Sequence, residues 1–347
     1  MKIKTALKII GEIGYLRSLI KRYGDSLANG KYYLYNSFRA LSLDEPSSRE
    51  RSYPYFNRTN ANPRFASLAL KLNKFGAFHN RNKKTRGEYE AIYVANNHDK
   101  VREVKLFSFK RGKILTLCTC CDEMEKQLTQ YESFSKSFNM PMVKASDKYQ
   151  NAIEISMVDL REFPGDKAAL DGIALTNANA NYGRTLHSKT VKELIEFSYD
   201  NDEMNSLLSE LTSKIDPSLL YLPIPLCPQH GDLSKDNLMY GESDGVTDFW
   251  WIDWEHAGER VFFYDYFFYV LNSAIYFDKN ALDCYLNGEA DEGLRRLFES
   301  AGSSFDPNKR KDIFLIFAVV FLKERVCDKG FLSALKTYCK FISDNLF

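Results

Sequence analysis

Short β-type runs crowd into one stretch of this chain, and helical periodicity fills most of the remainder beyond it. That segregation limits the fold more than any other feature. EYEAIYVA (88–95), REVKLFSF (102–109) and KILTLCT (113–119) read as strands, with NNHDK and KRG as the turns between them. DEMEKQLTQYESFSKSF (122–138) then places Met124, Leu128, Tyr131, Phe134 and Phe138 on one helical face, with Asp122 as its N-cap. A further strand, AIEISMV (152–158), comes next. Beyond residue 165 the pattern turns helical, and it ends in apolar runs such as VFFYDYFFYVLNSAIYF (261–277) and KDIFLIFAVVFLKERV (311–326). The expectation is an α+β chain of two lobes: a small mixed β-sheet lobe with one helix, and a mostly helical large lobe.

At 347 residues there is enough chain for two lobes, each with its own core. The formal net charge is only +1, but residues 1–115 hold 24 of the 47 basic residues and 9 of the 46 acidic ones, so that stretch is net +15 and the remainder net −14. A basic first third calls for an anionic neighbour, either outside the chain or in its own acidic remainder. Within it, Ile3, Leu7, Ile10, Ile13, Leu16 and Ile20 fall at helical spacing among Lys4, Lys8, Arg17 and Lys21. Such a helix suits a membrane surface or packing on its own domain. Residues 44–64 read as a loop or linker. No apolar run reaches the roughly 20 residues of a membrane span, and no secretory signal is evident. Seven cysteines without paired spacing fit a reduced, cytoplasmic chain. The CTCC cluster, His79 and His98 lack metal-type spacing. No hydrolase elbow or P-loop occurs, and the basic loop at 79–86 lacks a nucleic-acid module, so no nucleic-acid partner is expected.

The chemistry concentrates in HGDLSKDN, with His230, Asp232 and Asn237, and in WWIDWE, with Asp253 and Glu255. A carboxylate and an amide five residues apart, then a second carboxylate closing a strand-like run beyond a turn, place a base and two oxygen ligands in register. These residues resemble the protein-kinase-like phosphotransferases, on the aminoglycoside phosphotransferase and choline kinase branch. HGDLSKDNLM is similar to their catalytic loop, and WWIDWEHAGERVFFYDYF to their metal-binding segment with its downstream Asp265. The resemblance covers roughly residues 88–340.

It implies a protein-kinase-like fold: a basic, partly helical extension at 1–87, a nucleotide-binding small lobe at 88–160, and a catalytic and substrate-binding large lobe at 161–347. It implies Asp232 as the base, His230 as a brace of the loop, and Asn237 and Asp253 as ligands of Mg²⁺. Asp265 would bond the loop or cap a helix, and Glu255 would add a supporting contact. ATP would lie between the lobes, with backbone groups near Met157 and Asp159 reading adenine. The acceptor would be a hydroxyl of a small molecule or saccharide: an amino alcohol, a sugar, an aminoglycoside or a lipid-linked glycan. The last of these would bring the basic N-terminal region into peripheral contact with the inner face of a membrane.

The nucleotide lobe departs from the family pattern. Thr116 stands where a phosphate-binding Lys belongs and Gln127 where its Glu partner belongs, and NNHDK contains no Gly. Lys105, Lys113 and Lys100 are the substitute cations, with Glu125 and Glu132 the nearest carboxylates. Two outcomes stand open: an active phosphotransferase with altered phosphate contacts, or a pseudokinase-type binding module.

Overall fold

The computed structural model describes residues 3–35, 38–56, 63–81, 87–96, 102–182, 184, 186–199, 201–325 and 331–346. The chain divides into two units, one of residues 1–129, 141–160 and 242–246, the other of residues 130–140, 161–241 and 247–347.

In the first unit α1 (Ile3–Arg22), β1 (Gly30–Leu34), β2 (Ala40–Leu43), α2 (Pro46–Phe56), α3 (Pro63–Lys74) and β3 (His79–Asn80) precede the strands read from the sequence. Those are β4 (Ala91–Asn96), β5 (Arg102–Ser108) and β6 (Lys113–Leu117). Helix α4 (Cys121–Phe134), β7 (Val143–Ala145), β8 (Ala152–Ser156) and the two-residue β9 (Asp159–Leu160) come after them. Eight strands form one sheet in the order β3-β1-β2-β4-β5-β6-β8-β7. Every ladder in it is antiparallel, in place of the expected mixed sheet. Residues 1–87 are likewise no separate extension, because β1, β2 and β3 are strands of that sheet. Residues 44–64 hold α2 and the start of α3 in place of the expected linker.

Alternation along the strands gives the sheet two buried faces. Val104 and Leu106 of β5 and Leu115 of β6 pack with Ile9, Leu16, Leu19 and Ile20 of α1 and Ala69 of α3. The apolar stripe that a membrane-surface helix would need is therefore spent on the core, although Ile10 stays exposed. On the other face Ala91 and Phe107 pack with Tyr35, Phe56 of α2, Phe109 and Met157. Lys105 and Thr116 are register partners. Two residues from Phe107 and from Ile114, they share this second face.

The second unit holds α5 (Asp166–Asn181), β10 (His187–Thr190), α6 (Val191–Ile195), α7 (Asp202–Thr212), β11 (Pro223–Gln229), β12 (Leu238–Ser243) as far as Gly241, β13 (Val246–Trp251) from Thr247 on, and β14 (Gly258–Val261). Five helices complete it: α8 (Tyr264–Tyr276), α9 (Asn280–Leu286), α10 (Asp291–Ser300), α11 (Arg310–Arg325) and α12 (Phe331–Leu346). Strand β11 lies between β10 and β14, antiparallel to both. Asp244 and Gly245 link β12 to β13 with φ of 54° and 80°, the paired left-handed geometry that a two-residue hairpin turn demands. Ile313 to Leu322 are all buried, so α11 is apolar all round because it is a core helix. Its neighbours are aromatic. Phe317 meets Tyr264 edge-on at 5.4 Å, and Phe321 meets Phe268 at 5.5 Å. Among the described residues no helix is long and apolar enough to cross a membrane.

Candidate active site

Strand β11 delivers the loop at 230–237, and β12 carries the chain away from it. The loop is fixed from below by Asp265, at the start of α8. Its carboxylate accepts from His230 N at 2.7 Å and from Gly231 N at 2.9 Å, while Asp265 N donates to Gln229 Oε1 at 3.0 Å. Asp265 is wholly buried. That burial outweighs the two backbone donors and pushes its carboxyl up to about 6, so it is ionised at neutral pH.

His230 ties the loop to the segment after β13. Its Nδ1 accepts from Asp232 N at 3.2 Å, which leaves Nε2 to donate to Ile252 O at 2.7 Å. The ring is buried against Trp254, with centroids 4.8 Å apart. Burial pulls it down to about 4, so it stays neutral. With both nitrogens engaged and the ring held neutral, it braces the loop rather than transferring protons. Ile252 N donates to Asn237 O at 3.1 Å, a second strap between the two segments.

Gly231 has a φ of +82°, and a Cβ there would stand 2.4 Å from His256 O and 2.6 Å from Arg260 Nη1. Only glycine fits. Asp253 takes a left-handed backbone with φ 67° and ψ 63° and is exposed. A non-glycine residue in that region costs energy and clusters at functional sites.

Asp232 meets Asn237 at two points: Asn237 Nδ2 donates to Asp232 O at 2.8 Å and to Asp232 Oδ2 at 3.3 Å. This leaves the amide oxygen of Asn237 for a cation. With Asp253 it gives one amide and one carboxylate oxygen donor on strapped segments. That set fits a hard cation that takes its other ligands from phosphate and water. Among the described residues no group of three or more His, Cys, Asp or Glu side chains forms a self-contained metal cage. The side chain of Glu255 lies outside the described residues.

Two cations at the loop are given no role by the sequence motif. Arg325, at the end of α11, places Nη2 3.4 Å from Asp232 Oδ1 and 3.3 Å from Gly231 O. Lys235, inside the loop, turns away from Asp232. Its Nζ lies 2.9 Å from Asp166 Oδ1 and 3.3 Å from Asp278 Oδ2. Asp166 in turn accepts from Tyr269 OH at 2.7 Å. A helical pattern places Tyr269 in the core, but only folding reveals this partner.

Both described lysines expected to bind nucleotide in the first unit are in ion pairs. Lys113 Nζ pairs with Glu154 at 3.3 Å, and Lys105 Nζ with Glu103 at 3.0 Å. Of these, Lys105 stands directly opposite Thr116, whose buried Oγ1 has no hydrogen-bond partner among the described residues. Glu125 is exposed on α4. Lys100 lies outside the described residues. Met157 corrects the expectation most clearly: its side chain is core, and its N–H is donated to Gly112 O at 2.8 Å, so it offers adenine no donor. The next groups are tied to α2. Tyr55 OH donates to Val158 O, and Arg51 pairs with Asp159 at 3.8 Å. Phe56 stacks on Tyr93 at 5.7 Å and meets Phe107 edge-on at 5.0 Å. An aromatic cover from α2 thus lies on the sheet face that carries Lys105 and Thr116.

No family model and no curated protein matches the chain. Among solved structures it is similar to a GDP complex of aminoglycoside 2'-phosphotransferase-IIIa, at 12% identity and a TM-score of 0.46, covering 75% of this chain and 94% of that one. It is also similar to choline kinase LicA from Streptococcus pneumoniae, at 15% identity and a TM-score of 0.43, covering 70% and 89%. A choline/ethanolamine kinase family protein from Mesorhizobium loti matches at 10% identity and a TM-score of 0.42, covering 74% and 86%. With scores below 0.5, these likenesses carry no weight for function, which is read from the residues between Gln229 and Asp265.

Proposed function

We propose that the chain transfers the γ-phosphoryl group of ATP to a hydroxyl of a small molecule or saccharide. The observation that carries this is the pair of hydrogen bonds, His230 Nε2–Ile252 O and Ile252 N–Asn237 O, that strap the loop bearing Asp232 and Asn237 to the residue before Asp253. Phosphoryl transfer asks a protein for positioning and charge stabilisation more than for covalent chemistry. A loop pinned by a buried carboxylate supplies the first. The acceptor oxygen bonds to the γ-phosphorus while the bond to the β–γ bridging oxygen breaks. The acceptor's proton passes to the Asp232 carboxylate, and the electron pair of the broken bond leaves on the nucleoside diphosphate. Asn237 and Asp253 would hold Mg²⁺, which when bound neutralises phosphate charge. Among the described residues of the first unit, Lys105, opposite Thr116, is the cation proposed to substitute for the missing strand Lys.

The α2 cover favours a second reading, a kinase-like module that presents surfaces to a partner and binds nucleotide poorly. One experiment separates the two. Thermal unfolding is followed with Mg²⁺ and ATP, with ATP and EDTA, and without ligand. A ligand at about 100 times its Kd adds about 2.7 kcal/mol to the folded state, so a metal-dependent rise in the midpoint is expected, lost in Asp253→Asn. No rise at millimolar nucleotide overturns the phosphotransferase and leaves the module.

A further inference from the structure

Among the described residues three cations lie on or beside the loop at 230–237, and two are already spoken for. Lys235 is bound by Asp166 and Asp278 and sits 5.9 Å from the Phe163 ring and 5.7 Å from that of Phe277. Arg260, which packs on Gly231, donates from Nε to Glu324 at 2.9 Å and from Nη1 to His256 O at 3.0 Å. Arg325 differs. Its Nη2 is shared between Gly231 O and Asp232 Oδ1 at 3.3 and 3.4 Å, both long for a charge-assisted bond. Among the described residues its one ion-pair partner is Asp232. Of the five N–H donors of a guanidinium, the three on Nε and Nη1 have no acceptor among the described residues. Its side chain is only 17% exposed, so it is held in place by packing while, among the described residues, three of its donors have no acceptor.

We infer that Arg325 is a further residue of the transfer reaction: it orients the Asp232 carboxylate and offers its remaining N–H groups to the phosphoryl group in flight. This rests on the phosphotransferase reading, since it gives Asp232 the role of base. As the acceptor oxygen bonds to phosphorus and the bridging bond breaks, negative charge spreads over the phosphoryl oxygens. A planar donor fork beside the base matches that charge, and a fixed one needs no reorganisation when it develops. The loop itself provides no such group, because Ser234 is neutral and Lys235 is turned away.

Water serves as the acceptor in the test, so no acceptor need be known. Mg·ATP hydrolysis is measured for the full chain, for Arg325→Ala and for Arg325→Lys, with and without added guanidinium at concentrations that leave the protein folded. The expected result is a fall in kcat of about 100-fold or more for Arg325→Ala, with KM for Mg·ATP nearly unchanged. Partial recovery is expected in Arg325→Lys and on adding guanidinium. A wild-type kcat in Arg325→Ala overturns the inference and leaves the phosphotransferase standing. So does a loss of activity that tracks a fallen thermal midpoint and is rescued by neither lysine nor guanidinium. If the unmodified chain neither hydrolyses Mg·ATP nor shows the metal-dependent thermal shift, both fall together.

Discussion

Gly231→Ala probes the geometry of the loop without removing any functional group. Three costs add. An alanine at φ +82° takes on the left-handed penalty of about 1–2 kcal/mol. Its Cβ would stand 2.4 Å from His256 O, about 1 Å inside ordinary contact, and 2.6 Å from Arg260 Nη1. Arg260 could swing aside, but His256 O is backbone, held where β14 begins, so relief must come from the loop. Overpacking of this kind costs about 1–3 kcal/mol. A loop that shifts also stretches Gly231 N from Asp265, leaving a buried carboxylate short of a donor for about 1–3 kcal/mol more. The sum is about 3–8 kcal/mol. Gly302→Ala is the control, because Gly302 has a φ of +72° with nothing within 4 Å of its Cβ and should lose only the conformational part. Denaturant unfolding of both variants beside the unmodified chain gives the comparison. Equal losses for Gly231→Ala and Gly302→Ala would refute the claim that the loop is clamped between β14 and Asp265.

The burial of His230 and Asp265 has a consequence for acid. His230, held near 4 against an ordinary value of 6.5, takes up its proton more readily when unfolded, so its contribution to stability is lost as pH falls from 6.5 towards 4. Asp265, raised to about 6, acts in the opposite direction over the same window, since the folded state binds its proton first. Asp265→Asn removes that compensation. Its stability should fall between pH 7 and pH 5 by about 1 kcal/mol more than that of the unmodified chain, measured by chemical denaturation at each pH; parallel profiles would sink the assignment. Phe56→Ala should cost about 3–5 kcal/mol as a buried aromatic truncation. If α2 obstructs nucleotide, the same variant should also show a lower dissociation constant for Mg·ATP by calorimetry at a temperature where it stays folded, and an unchanged or weaker affinity would contradict that role for the cover.

The strands β4, β5, β6 and β8 are legible because each keeps an apolar, β-branched or aromatic run between polar turns. β1 and β2 are not. GKYYL is short and rich in Tyr, and all four residues of ALSL are buried, so neither shows the alternation of a half-buried strand. Strand β11 is hidden by Pro223, Pro225 and Pro228, residues that ordinarily argue against a strand with neighbours on both sides. Helix α2 looks like linker in sequence because Pro46, Pro54 and its serines erase any helical pattern. Of its buried residues only Phe56 is apolar, while Ser52 bonds within the helix, its Oγ donating to Ser48 O at 2.6 Å.

The same asymmetry governs the site. His230, Asp232, Asn237, Asp253 and Asp265 can be found because each lies within a few residues of the next functional group, or at the end of an element whose apolar pattern marks it. The partners that hold and charge the loop come from far along the chain: Asp166 from the start of α5 for Lys235, and Arg325 from the end of α11 for Asp232. Nothing local distinguishes Arg325 from its neighbour Lys323, since both are cations in the last turn of a helix, where the dipole alone would explain them. What separates them is the packing of α11. Buried on every side from Ile313 to Leu322, the helix has no freedom to rotate, and its register alone decides which terminal cation reaches Asp232 and which donates to Leu194 O. A core helix with a fully apolar surface therefore sets the chemistry at its end, and substitutions that slide or rotate α11 should act on Asp232 as directly as changes within the loop.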